Sequence, residues 1–161
     1  MIIDLKKQYE TYQEENPKTR IRDAAAALGV SEAELVATNE QNIRLKPVMP
    51  EILGAIPSLG KVMALTRNDH AVHERKGGYG KPTFNGHVGL VVGPDIDLRL
   101  FMSKWSFAFA VNENARQSIQ FFDHTGTAVH KIYLTDKSHT EAFEKLVADF
   151  TDREIGALDI E

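Results

Sequence analysis

The feature that most constrains this chain is a change of hydrophobic period near residue 60. From Lys61 onward the sequence falls into seven short runs rich in β-formers: KVMALTR, HAVHERKG, HVGLVVG, IDLRLFM, WSFAFAV, QSIQFFD and AVHKIYL. Asn, Gly, Pro or Asp separates most of them, at a spacing of roughly ten residues with no helical stretch between. Parallel strands need long crossovers, so this spacing predicts an antiparallel meander and excludes βαβ units.

Helical patterns flank the strands. Residues 1–15 place Ile2, Ile3, Leu5, Tyr9 and Tyr12 on roughly one side of a helix. Asn16-Pro17 then marks a boundary, because the residue before proline avoids helical angles. An alanine-rich helix follows, and Leu28-Gly29-Val30 reads as a turn. Ser31 with Glu34 three residues on forms a capping box for a second short helix. The 47–60 stretch carries three prolines and two glycines, with room for a helical turn around Glu51–Ala55. At the other end SHTEAFEKLVADF predicts a helix with Ser138 as cap and Glu141 at the capping-box position. Ala142, Phe143, Leu146, Val147 and Phe150 supply its apolar stripe. The expected fold is α+β in one domain, 1–161: a helical lead-in over 1–46, a large antiparallel sheet over 61–134 and a C-terminal helix over 138–150.

Composition narrows the function classes. The chain has 161 residues and no cysteine, which removes disulfides and thiolate metal sites. Its net charge is −4, and the second helix of the helix-turn-helix-like segment offers Glu32, Glu34 and Glu40 with no basic residue before Arg44. A recognition helix needs cations for phosphates, so these helices are expected to pack on a sheet, with no nucleic-acid role. No apolar run approaches the ~18 residues of a spanning helix, and the first residues lack a signal peptide's apolar core. The expected location is cytoplasmic, with no membrane insertion.

Period-2 alternation sorts the strand residues by face. In IDLRLFM, Ile96, Leu98, Leu100 and Met102 form the core face, leaving Asp97, Arg99 and Phe101 together on the other. An arginine beside a large aromatic there covers another sheet, a partner or a flat anionic ligand, or else Phe101 lies under a helix with Arg99 in a surface ion pair. His70 and His73 are three apart, a spacing that sends strand side chains to opposite faces, and HAVHE fits neither HExxH nor HxxEH. His73, on a face with Ala71 and Arg75, suits either a hydrogen-bonded strand histidine or the single axial ligand that a macrocycle-held iron requires. His87 shares its face with Gly89, where a ligand or a helix crossing would fit. His130 aligns with Ile132 and Leu134 as a core-side histidine, while His124 and His139 fall in turn or cap positions. WSFAFAV puts Trp105, Phe107, Phe109 and Val111 on a core face, and Ser106, Ala108 and Ala110 on a small face with room for something flat. GGYG and GHVG lack the context of a phosphate loop.

Taken in order, VMALTRN, AVHERKG, GHVGLVVG, IDLRLF, QFFD and GTAVHKIYL closely resemble the HemS/ChuX-type haem-utilisation family, and more narrowly the N-terminal half of its two-half, HemS-like members. The resemblance covers nearly the whole chain, with IRDAAAALGVSEAEL matching the helical lead-in. It implies a large antiparallel sheet with flanking helices that holds haem delivered by an outer-membrane uptake system. Carried over, Arg99 of the DLRLF motif helps hold haem and Phe101 packs on the macrocycle. The main axial histidine of two-half members lies in the half this chain lacks; its repeat equivalent here is His73, with His87 second. Arg75 or Arg67 would join Arg99 at the propionates, and a homodimer would stand in for the missing half. Three functions follow: a haem carrier, a haem-degrading enzyme, or a structural or regulatory partner that has lost haem binding.

Overall fold

The computed structural model describes residues 5–39, 41–67, 72–86, 88–93, 96, 98–113 and 116–152. At Arg67, Val72, His73, Phe101 and Glu113 it describes the backbone alone. The chain opens with helices α1 (Leu5–Glu15), α2 (Ile21–Leu28) and α3 (Glu32–Ala37). Gly29 ends α2 at φ 71°, the left-handed region that an L side chain resists, and Val30 N–H closes back on the Ala25 carbonyl at 3.0 Å. The capping box then starts α3: Glu34 N–H donates to Ser31 Oγ at 3.2 Å and Ser31 N–H donates to Glu34 Oε1 at 3.0 Å. Ser31→Ala is expected to lower stability by about 1 kcal/mol, read as a shift in the urea midpoint with an unchanged slope.

The remaining elements are β1 (Ile43–Leu45), α4 (Met49–Ala55), a 3₁₀ turn (Ile56–Leu59), β2 (Gly60–Arg67), β3 (Val72–Gly78), β4 (Thr83–Asn85), β5 (Val88–Val91), β6 (Leu98–Phe101), β7 (Trp105–Glu113), β8 (Arg116–Asp123), β9 (Ala128–Ser138) and α5 (Thr140–Phe150). The α+β class and the large antiparallel sheet hold, and each of the seven expected runs carries a strand. They divide, however, between a six-stranded sheet of order β1-β7-β8-β9-β2-β3 and a three-stranded sheet β4-β5-β6. Consecutive β7, β8 and β9 form a meander, whereas β9 returns to pair with β2. The sheets meet at Gly80, where a Cβ would lie 2.6 Å from the Val92 carbonyl oxygen; only glycine allows that approach. Two strands were not expected. β1 lies inside the helical lead-in and pairs with the edge of β7, Leu45 opposite Ala108; β4 is only Thr83–Asn85.

The large sheet is covered on both sides. Val62, Ala64, Ala108, Ala110, Ile119, Phe121 and Ile132 pack with Ile52, Leu53, Ile56, Leu59, Phe143 and Leu146 of α4, the 3₁₀ turn and α5. On the opposite side Phe107, Phe109, Val111 and Phe122 pack with Ala33 and Val36 of α3. The open small face expected at Ser106, Ala108 and Ala110 is therefore corrected. Ala108 and Ala110 are buried in the first of these cores, their small side chains filled over by neighbouring core residues. Trp105 also parts from Phe107. A bulge between them turns Trp105 toward Phe121 and His130, with ring centroids 5.3 and 5.9 Å away.

The α2–α3 hairpin packs on the sheet as expected. Glu32 is buried and meets Lys131 Nζ at 2.8 Å, so this acidic helix faces protein. The start of α5 differs from expectation. Ser138 ends β9, where its hydroxyl accepts from Thr135 N–H at 2.8 Å and donates to the Lys61 carbonyl, and His139 takes the N-cap position without a side-chain cap. The strand ladder claims the serine before the helix begins. Among the described residues no helix is long and apolar enough to cross a membrane.

Candidate functional site

The three-stranded sheet presents two unlike faces. Its registers align Thr83 with Leu90 and Leu90 with Arg99, and likewise Asn85 with Val88 and Val88 with Phe101. Cross-strand partners project to the same side, so these two rows share one face. The alternate residues Val91, Ile96 and Leu100 are buried in the core, with Leu98 packed against it. The core face read from IDLRLFM is thus in place, and Arg99 is exposed on the other side. Phe101 lies on the same row parity by its backbone register with Val88. Asp97 and His87 lie outside the described residues.

Thr83, Phe84, Asn85, Val88, Leu90 and Arg99 line a cavity of about 400 Å³. Among the described residues no carboxylate pairs with Arg99. A guanidinium without a partner, beside an exposed leucine and a half-buried valine, can hold a ligand with an anionic group and an apolar body. The Thr83 and Asn85 side chains add hydrogen-bonding groups at the far end of the same rows. This lining fits haem, which carries carboxylates on the rim of an apolar ring.

The other candidates stand elsewhere. His73 is opposite Thr66, and Arg75 opposite Ala64, in the six-stranded sheet. Arg75 is exposed and already engaged in an interaction. It does not line the Arg99 cavity. His73 lies five residues before Gly78, the end of β3 nearest the small sheet, a strand distance of roughly 17 Å. The backbone therefore puts the axial-ligand candidate and Arg99 on different sheets. His70 falls outside the described residues.

His130 is a core histidine, as its parity implied. It is fully buried, Nδ1 donates to the Leu65 carbonyl at 3.0 Å, and the Tyr79 hydroxyl donates to Nε2 at 3.1 Å. The carbonyl can only accept, which fixes the proton on Nδ1 and leaves Nε2 as the acceptor. Phe121 stacks on the ring at 5.9 Å. Burial pulls the imidazole pKa down to about 4, against a smaller opposing effect of the Leu65 hydrogen bond. Burial also pushes the Tyr79 phenol above its ordinary value. Neither group changes charge near neutral pH. Among the described residues no cluster of His, Asp or Glu has the makings of a metal site.

Sequence reasoning missed Leu90, Val88, Thr83 and Asn85. The signal was weak: in VGLV both parities are apolar, so alternation does not say which side is core, and TFN is too short to show a period.

Comparison with known proteins completes the picture. A family model described as the haemin-degrading HemS.ChuX domain matches residues 29–150. The chain is 42% identical over 168 aligned positions to the hemin transport protein HemS of Yersinia enterocolitica, covering 100% of this chain and 49% of that protein. It superposes on holo-PhuS, a heme-binding protein from Pseudomonas aeruginosa, with a TM-score of 0.90 and 45% identity, covering 96% of this chain and 47% of that one. On ChuS, a heme degrading enzyme of Escherichia coli O157:H7, the TM-score is 0.87 at 38% identity, covering 95% and 48%. The chain spans about half the length of these relatives. By the extent of the family match and the identity to HemS, this chain belongs to the HemS/ChuX haemin-degrading family.

Proposed function

We propose that this chain is a cytoplasmic haem-binding protein of bacterial haem uptake, which carries or sequesters haem. The observation that carries the reading is Arg99, exposed and unpaired among the described residues, beside Leu90 and Val88 in one cavity. Arg99 would pair a propionate through charge-assisted hydrogen bonds, and Phe101 and Leu90 would give the ring apolar contact. His73 is the proposed axial ligand, with His87 the alternative and Arg75 or Arg67 as further cations. Bound haem would supply an iron centre with ligand exchange at its axial positions, and the protein's part is to hold and orient it.

Because His73 and Arg99 stand on different sheets, a homodimer is part of the proposal. One copy would offer Arg99 to haem whose iron is held by the other, around a two-fold axis. A haemin titration followed by absorbance, paired with sedimentation equilibrium, tests both. Saturation at one haem per chain or per dimer, weakened by His73→Ala, is the expected result. A monomer that saturates normally would remove the second copy, and unchanged binding in His73→Ala would move the ligand to His87 or elsewhere.

The likeness to ChuS favours a second reading, haem degradation. Loss of the Soret band on adding reductant, with catalase present to remove free peroxide, would make the chain an enzyme; a stable band would leave it a carrier. A structural or regulatory role without haem is what an absent Soret shift would indicate.

A further inference from the structure

We propose that the cavity between α1, α3 and the large sheet is a second binding site, for a small zwitterion carrying an ammonium and a carboxylate, such as a free amino acid. It shares no residue with the haem reading and does not depend on it. The cavity measures about 270 Å³. Sites for drug-sized ligands run from roughly 300 to 1,000 Å³, so this one takes a small molecule and is too small for a porphyrin.

The floor carries the recognition chemistry. Gln120 of β8 lines the cavity and is only 3% exposed. A buried amide is costly unless its polar ends are paired. Its Nε2 donates to Ser118 Oγ at 3.0 Å, and among the described residues no hydrogen bond reaches its Oε1. Two half-buried lining residues add acceptors. Thr38 Oγ1 gives its one proton to the Leu35 carbonyl at 2.7 Å. Asn42 donates from Nδ2 to the Val36 carbonyl and accepts at Oδ1 from Asn112 N–H, both at 2.9 Å, which holds its amide in place. The three side-chain oxygens still offer lone pairs, which a group with several donors, an ammonium, satisfies. Lys131 stands directly opposite Gln120 in the sheet, but Glu32 neutralises it at 2.8 Å, so it does not repel a cation there.

The exposed rim is built differently. Lys6 and Glu10 stand one turn apart on α1 and both line the cavity. Their charges balance, which favours a ligand without net charge. Lys6 is engaged in an interaction of its own, and its ammonium has further donors for a ligand carboxylate. Buried Leu35, Val36 and Val111 form apolar walls between floor and rim. The geometry suits an ammonium held at the floor and a carboxylate at the rim.

Calorimetric titration of the whole chain tests this, with L-alanine, L-serine and L-glutamine as zwitterions and with methylammonium and acetate as the separate charges. At least one amino acid should bind saturably at one per chain, with each separate ion weaker by at least about tenfold, the worth of one charge-assisted hydrogen bond. Gln120→Leu keeps the approximate volume and removes the amide, and should weaken binding about tenfold. Lys6→Glu should weaken it about fivefold. The lysine is exposed, so this variant keeps the test decisive where Gln120→Leu does not fold. No saturable heat from any of the three amino acids up to tens of millimolar would overturn the inference. So would acetate or methylammonium binding as tightly as the amino acids, or variants that bind as wild type does. None of these outcomes bears on haem binding.

Discussion

Arg99→Glu is expected to weaken haemin binding on the order of a hundredfold, since a charge-assisted pair is lost and like charges are brought together. The arginine is exposed and makes no described ion pair, so the substitution should leave the urea midpoint near that of wild type. Arg99→Lys separates charge from shape. It keeps the cation but loses the planar fork, and should cost a few-fold at most if a single oxygen is contacted, about tenfold if both are. Salt gives an independent reading. Between exposed groups the pairing is screened over a Debye length of ~10 Å at 0.1 M, so raising ionic strength should weaken wild type and leave Arg99→Glu nearly flat. Equal affinity of wild type and Arg99→Glu for haemin at low salt would remove Arg99 from the site.

The second large effect concerns stability against acid. His130 is buried and neutral, with its pKa lowered to about 4 from an ordinary 6.5. A histidine whose folded pKa is depressed leaves the unfolded chain binding the extra proton first as pH falls. Its stabilising contribution is thus fully present above pH 6.5 and lost progressively as pH drops toward 4. Two and a half pKa units correspond to ~3 kcal/mol of stability. Urea unfolding from pH 7 to pH 4 should therefore fall off more steeply for wild type than for His130→Gln. Carboxylate titration is common to both proteins, so the difference between the curves belongs to His130. At pH 7 the glutamine variant should itself be less stable, because the stacked fit against Phe121 and Trp105 and the bonds to Tyr79 and Leu65 are tailored to an imidazole. Parallel pH curves for the two proteins would mean that His130 charges without opening the core.

Much of this was legible because the signals are local. The Ser31–Glu34 box, the turn at Leu28-Gly29-Val30 and the alternation in IDLRLFM each involve residues within a few positions of one another, and each appears as expected. The departures share a different cause. Ser138 would cap a helix in isolation, but β9 runs on to claim its hydroxyl. Trp105 would follow Phe107 by parity, but one bulge resets the count. Ala108 and Ala110 look like open space beside larger residues, and are instead buried in the core beneath α4, the 3₁₀ turn and α5. In each case a distant element decides what a local pattern leaves open.

The sequence alone determined the α+β class, the order of seven of the strands, the family, and the side of β6 on which Arg99 stands. Hydrogen-bonding periods and caps are properties of neighbours in the chain, and they can be read from it. The tertiary structure decided which strands pair. That choice sets Arg99, Leu90 and Thr83 in one row on a small sheet and places His73 on the large one. Strand pairing is settled by which apolar faces can be buried together across the whole chain, a balance no single run of residues contains.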